Sequence, residues 1–159
     1  MLSPVTGPES LECKIMVDRR LIEAYQSTKF VVDIPGGQIV LRVTEPNHRI
    51  DALLRTCNAS TGAFITACNP RSVRLESAEN ARRHEMLVNR VRKLGHQFFS
   101  GRGIGMDGDW PPEESVFIVA IKRSGALELG RDCGQNAIVF KEVGRSPELV
   151  LCIERNPDT

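Results

Sequence analysis

The chain has 159 residues, enough for one domain that buries a core without disulfides or a structural metal. Its formal net charge is +1, so it lacks the basic excess of proteins that bind nucleic acid mainly through phosphate charge. No apolar run approaches the ~20 residues that cross a bilayer, and the N-terminal residues do not resemble a signal peptide. These features predict a cytoplasmic protein with no membrane partner and no strong nucleic-acid signal.

The cysteines and histidines indicate reduced thiols and no metal site. The cysteines are odd in number, widely spaced and without a C-x-x-C pair, which is typical of a cytosolic protein. The three histidines match no metal-ligand spacing, and no motif identifies a cofactor. The cysteines are Cys13, Cys57, Cys68, Cys133 and Cys152.

The first third of the chain predicts a tail, a helix and a hairpin. Residues 1–15 are interpreted as a loose tail, and residues 16–159 as a single globular domain. The segment LIEAY has the spacing of a short amphipathic helix. Two β-rich runs, KFVVDI and QIVLRV, flank a Pro-Gly-Gly break and predict a hairpin. Asn47 is a candidate cap for the helix that follows.

The rest of the chain alternates buried strands with helices. AFITAC is predicted to be a buried central strand, and SVFIVAIK a second one. The clearest helix runs from about Glu76 to Leu94, and Gly95 is expected to end it. A short helix, SGALELGRDCG, precedes a final hairpin formed by NAIVFKEV and ELVLCIE.

This order of elements predicts an α+β fold that is α/β-like in its alternation. We expect a single mixed β-sheet of about seven strands, with hairpins at both ends, covered by three to four helices. No repeat and no internal domain boundary interrupts the pattern.

The stretch GRGIGMDGDWPPEES combines glycines with acids and prolines. Its glycines do not run into a helix and no lysine accompanies them, which argues against a phosphate-binding loop. Asp107 and Asp109 lack the rest of a calcium-loop pattern. A long β-hairpin loop is the favoured interpretation, with a flexible flap anchored by Trp110 as the alternative.

Polar residues collect at three strand ends: after AFITAC, before SVFIVAIK and before NAIVF. If the first two strands are antiparallel neighbours, Asn69 lies close to Glu113 and Glu114. In an extended backbone these two carboxylates point to opposite sides, so at most one faces a pocket, as a base or in an ion pair. The long helix adds Asn80 and Arg83, which either line a pocket or tie the helix in place.

Five segments in this order resemble the bacterial domain-of-unknown-function family DUF3293: LIEAYQSTKFVV, AFITACNPRS, SAENARR, GDWPPEES and GQNAIVF. The resemblance implies no known activity. Cys68 stands where members often carry an aromatic residue, and Pro112 leaves open which of Glu113 and Glu114 is the family glutamate. The family pattern falls on Asn69, Pro70, Ser72, Asn80, Arg83, Trp110, Glu114, Ser115, Gln135 and Asn136.

We expect a small polar ligand or a nucleotide to bind this strand-end cluster; whether the protein is an enzyme is left open. Amides and one arginine suit recognition better than acid–base chemistry. The candidate ligand contacts are Asn69, Ser72, Asn80, Arg83, Trp110, Glu114, Gln135 and Asn136.

The alternative is a non-catalytic interaction or regulatory module that binds a protein partner or an RNA–protein assembly. In that case the same polar residues hold loops together, and an exposed surface carries the function. The candidate surface is the basic face of the long helix: Arg82, Arg90, Arg92 and Lys93.

Overall fold

The computed structural model describes residues 19–106, 108 and 110–152. The predicted tail, Asp107 and Asp109 therefore lie outside the described residues, and the domain bounds remain a prediction. Within the described residues, no helix has the length and apolar character needed to cross a membrane.

The elements follow the predicted order. Residues 19–26 are helical and are called α1. The strands are β1 (Lys29–Ile34), β2 (Gly37–Leu41), β3 (Thr61–Thr66), β4 (Phe98–Ile104), β5 (Glu113–Val119), β6 (Ala137–Glu142) and β7 (Glu148–Leu151). The other helices are α2 (His48–Thr56), α3 (Ser77–Lys93) and α4 (Arg123–Asp132), with a 3-10 turn at Pro70–Ser72.

Local signals fix several of these boundaries. The Asn47 side chain accepts a hydrogen bond from the backbone amide of Ile50 at 3.0 Å and caps α2. Gly95 has a φ of +80° immediately after α3, where a left-handed residue ends the helix. Gly36 has a φ of +82° in the turn between β1 and β2, as the Pro-Gly-Gly break predicts.

The seven strands form one sheet in the order β2-β1-β4-β5-β3-β6-β7. The α+β class is confirmed, but the sheet is antiparallel at each of its pairings rather than mixed. The helical crossovers explain the difference. Helix α3 joins β3 to β4 and α4 joins β5 to β6, and each crossover skips one strand. That skipped strand runs antiparallel to both of its neighbours.

Helices cover both faces of the sheet. Leu87 and Val91 of α3 pack with Ala126 and Leu129 of α4 on one face. The opposite face carries Phe30, Phe64 and Phe117 and packs against α2 through Ile50. Side chains alternate along β3 and so contribute to the hydrophobic clusters on both faces of the sheet. Ala63 and Ile65 point to the first face, whereas Phe64 points to the second.

Candidate ligand-binding cavity

The turn after β3 is built from unusual backbone conformations. Asn69, Arg71 and Ser72 have φ angles of 48°, 56° and 60°, values that non-glycine residues rarely adopt. The amide of Arg71 donates to the carbonyl of Gly134 at 2.8 Å, and the amide of Ser72 donates within the turn. Since these amides are satisfied by the protein, the turn positions side chains instead of offering amides to an anion.

Asn69 and Asn80 hold each other in place. The Asn69 amide donates to Asn80 Oδ1 at 2.9 Å, and Asn80 Nδ2 donates back to Asn69 Oδ1 at 2.9 Å. Asn69 Oδ1 also accepts from the amide of Leu75 at 2.8 Å. Asn69 is buried, and its side chain hydrogen-bonds Glu113. The helix α3 thereby fixes, through Asn80, a residue that orients a carboxylate on β5.

The two adjacent glutamates of β5 point to opposite faces, as the extended backbone predicts. Glu113 Oε1 accepts from Trp110 Nε1 at 3.2 Å. The Glu114 carboxylate is 68% exposed and lies 3.8 Å from His84 Nε2 on α3. The antiparallel pairing of Thr66 with Ser115 brings β5 beside β3, which confirms the expected approach of Asn69 to Glu113.

The Glu113 carboxyl is held in an environment that disfavours its charge. Burial raises its pKa above the ordinary 4.5, and the hydrogen bonds from Trp110 and Asn69 only partly oppose this effect. Because the pKa is raised in the folded state, ionisation of Glu113 reduces stability. The protonated carboxyl's contribution to folding stability is fully present below pH 4.5, and it is lost as the pH rises through the pKa of the folded state.

A cavity of about 480 Å³ lies between helix α1 and the aromatic face of the sheet. Its wall includes Tyr25 from α1, Phe30 from β1 and Phe64 from β3. The Tyr25 and Phe30 rings stack with centroids 6.2 Å apart, and Phe30 meets Phe64 edge-on at 5.2 Å. This side of the cavity is therefore an apolar surface of packed rings.

The opposite end of the cavity is polar. Glu113, Trp110, Asn69 and Gln135 line it, facing the hydroxyl of Tyr25. Burial, and then the charge of Glu113, raise the pKa of the Tyr25 phenol, so the ring is neutral at physiological pH. An aromatic wall and a carboxyl at one end give the cavity the character of a site for an amphipathic small molecule.

The predicted ligand contacts divide between two places. Asn69, Ser72, Trp110 and Gln135 line the cavity beside α1, which is called the α1 cavity below. The sequence did not predict that these four residues meet beside α1, because the expected cluster consisted of strand ends and the long helix only.

The remaining predicted contacts lie outside the α1 cavity. Asn80 and Glu114 line a second depression of about 960 Å³ at the start of α3, which Asn69 and Glu113 also border. Arg83 pairs with Glu79 at 3.2 Å, the alternative that the sequence left open. Asn136 donates to Ser72 Oγ at 3.1 Å and acts as a bridge between loops.

Sequence reasoning missed two residues of the α1 cavity in particular. Glu113 was weighed beside Glu114, and its orientation follows only from the strand register. Tyr25 is the only tyrosine of the chain and was assigned only to a helix face. Its hydroxyl lies 3.5 Å from the carbonyl oxygen of Ala137, so α1 reaches across to β6.

The basic face of α3 is largely engaged within the protein. Arg82 pairs with Glu79 at 2.7 Å and Arg90 with Asp132 at 2.6 Å. Arg92 lies 5.6 Å from the centroid of a phenylalanine ring. These contacts leave less of the charge available to an acidic partner, and the interaction module stays a prediction.

Nucleophilic and metal chemistry find little support among the described residues. Cys68 is buried, as predicted, and burial raises the pKa of its thiol, which disfavours the reactive thiolate. Over the described part of the chain, no group of three or more histidines, cysteines or acids is arranged to hold a metal ion. Glu113 and the Tyr25 phenol are the ionisable groups among the described residues that line the α1 cavity.

Comparison with known proteins finds a similarity to one family and no activity. Searches of curated proteins and of solved structures returned no significant match. A family model matches from Ile65 in β3 to Ile138 in β6, and so includes the polar end of the α1 cavity but not α1. Residues 65–138 match the family described as protein of unknown function (DUF3293), which confirms the resemblance over this part of the chain.

Proposed function

We propose that the protein binds a small amphipathic organic molecule in the α1 cavity, with its apolar part against Phe30 and Phe64 and its polar group at Glu113. The observation that carries this proposal is the cavity itself, of about 480 Å³ with one aromatic wall and one polar end. Small-molecule sites typically have about 300–1,000 Å³, a mostly apolar lining and a few polar groups that fix orientation.

The lining disfavours a phosphorylated ligand. No lysine or arginine occurs among the described residues that border the α1 cavity, and the carboxylate of Glu113 repels anions. Phosphate sites in proteins use lysine, arginine or helix amides, and the amides of the Asn69–Ser72 turn are already bonded. The proposal therefore narrows the small polar ligand or nucleotide expected from sequence to a molecule without phosphate.

We place this function in the cytoplasm. Cys57, Cys68, Cys133 and Cys152 are free thiols, which supports a reducing compartment. Binding is the extent of the proposal, because a base alone does not define a reaction.

Narrowing the cavity tests the proposal. Ala24 lines the cavity from α1 and is exposed, so Ala24→Phe reduces the space for a ligand at little cost to folding. We expect a ligand to raise the melting temperature of the wild type, with about 2.7 kcal/mol of stabilisation at a hundredfold excess over Kd. The Ala24→Phe variant should lose this shift.

The matched control is Ala52→Phe, which introduces the same side chain at an exposed position of α2 outside the cavity. This variant should keep the ligand-dependent shift. A screen of small aromatic amines, alcohols and acids in which no compound stabilises the wild type, or in which Ala24→Phe responds equally, contradicts the proposal.

A further inference from the structure

Most side-chain donors of the α1 cavity are already used within the protein; the Ser72 hydroxyl accepts from Asn136 and has no acceptor of its own among the described residues. The hydroxyls of Thr28, Thr66 and Ser115 each donate to a backbone carbonyl, at 2.6, 2.8 and 2.9 Å. Gln135 Nε2 lies 3.0 and 3.5 Å from two backbone carbonyl oxygens. Each of these groups would have to break a bond of the fold to donate to a ligand.

Two further donors near the polar end converge on one carboxylate. Trp110 Nε1 donates to Glu113 Oε1 at 3.2 Å, and the Asn69 side chain hydrogen-bonds the same carboxylate. A carboxylate has about four lone-pair sites, so Glu113 retains capacity to accept from a ligand. The carbonyl oxygen of the Gln135 side chain is a second acceptor at this end. The cavity therefore presents acceptors where a ligand's polar group would lie.

The negative charge of Glu113 favours a ligand donor that carries a positive charge. Two polar side chains hydrogen-bond Glu113, those of Trp110 and Asn69, and both are neutral. The Tyr25 phenol is neutral as well. The ion pairs of the described residues involve other carboxylates. A half-buried carboxylate without a cationic partner is costly, and a cation that reaches it removes that cost.

The rings of the cavity suit the same kind of group. Trp110 and Tyr25 both line the cavity, and aromatic faces attract cations, as the Arg74 guanidinium 5.9 Å from the Trp110 ring centroid shows. We infer that the ligand of the α1 cavity carries a cationic nitrogen, an ammonium or amidinium group, that donates to the Glu113 carboxylate while an attached apolar group packs against Phe30 and Phe64. This inference rests on the proposed function and specifies its ligand class.

Three probes with one apolar body test the charge. They are 2-phenylethylamine, 2-phenylethanol and 3-phenylpropanoate, which end in an ammonium, a hydroxyl and a carboxylate. Titration calorimetry at pH 7.5 should show the amine binding at least about tenfold more tightly than the carboxylate, because charge-assisted hydrogen bonds are the stronger ones. This comparison uses the wild-type protein and needs no variant.

Glu113→Gln then tests the residue. The substitution removes the charge and keeps the shape, so affinity for the amine should fall about tenfold or more while affinity for the alcohol changes little. Glu114→Gln is the matched control: it removes the neighbouring carboxylate on the opposite face and should leave all three affinities unchanged.

The outcomes separate this inference from the proposed function. If the alcohol or the carboxylate binds as tightly as the amine, and Ala24→Phe abolishes that binding, the charge inference is wrong and the cavity proposal stands. Equal loss of amine affinity in Glu113→Gln and Glu114→Gln also overturns the inference. If none of the probes binds at millimolar concentration, both are contradicted.

Discussion

Replacing Lys141 with methionine is expected to lower the free energy of unfolding by about 3–5 kcal/mol. Lys141 on β6 is fully buried, and its ammonium donates to Asp51 Oδ1 of α2 at 2.5 Å and to the Glu142 carbonyl at 2.6 Å. A third bond reaches the carbonyl of Arg145. The lysine thus satisfies all three donors and links α2 to the β6–β7 hairpin.

The cost arises mainly from the partner left behind. Burial opposes ionisation of Asp51, but the hydrogen bond and charge of Lys141 outweigh it and lower the pKa of the carboxyl. The lowered pKa means that this pair stabilises the fold above pH 3.8, and the contribution is lost as the pH falls through the folded pKa. In the Lys141→Met variant Asp51 becomes a buried charge without its cation.

Chemical denaturation of three variants checks this prediction. The double variant Lys141→Met with Asp51→Leu should recover much of the lost stability, because it removes both charges. Arg123→Met breaks the exposed pair with Glu148 and should cost less than about 1 kcal/mol. A loss below about 1 kcal/mol for Lys141→Met alone would show that the buried pair does not stabilise the fold.

Gly101→Ala is expected to cost about 3 kcal/mol, the upper part of the range for overpacked sites. Gly101 lies on β4, where an added Cβ would overlap the backbone carbonyl oxygen of Val31 on β1 and approach Phe64 Cε2 to 3.0 Å. A backbone atom cannot rotate away, so the strands must separate to make room. The glycine is therefore explained by close approach within the sheet.

Gly103→Ala is the matched control two residues along the same strand. Its nearest neighbour would be Thr28 Cγ2 at 3.9 Å, an ordinary contact, and we expect a change below about 1 kcal/mol. Thermal unfolding of the two variants side by side gives the comparison. Equal stability of Gly101→Ala and Gly103→Ala would contradict the packing explanation.

Much of the fold could be predicted because its signals are local. The Asn47 cap and the stop at Gly95 depend on a few neighbouring residues, and alternation of apolar residues marks the strands. The order of strands in the sheet has no such local signal, because it depends on which helical connection passes over a neighbouring strand. The antiparallel pairing of the sheet therefore could not be read from the order of elements.

The candidate site was predicted in part, for two physical reasons. Residue type does not tell whether an amide faces a ligand or another amide, and Asn80 turned out to bond Asn69. Alternate residues of β5 point to opposite faces of the sheet, and the register with β3 decides whether Glu113 or Glu114 faces the cavity. Tyr25 reaches the site only through the tertiary placement of α1.

Trp110 reports directly on Glu113, the half-buried carboxyl at the polar end of the α1 cavity. It is the only tryptophan of the chain, so its indole Nε1–H gives a single NMR signal next to Glu113. Titrating this signal from pH 4 to 8 should reveal a midpoint above 4.5, because burial raises the pKa of Glu113.

Among the described residues, the groups whose titration Glu113 influences are the Tyr25 phenol and the Cys68 thiol, and burial raises both pKa values away from this range. Saturating 2-phenylethylamine should shift the signal and lower the midpoint, since a cation favours the ionised carboxyl. Glu113→Gln should abolish the transition, and Glu114→Gln should keep it. An indole signal that changes with neither pH nor the amine, or that titrates equally in Glu113→Gln, would contradict the placement of a titrating Glu113 carboxyl in a binding cavity.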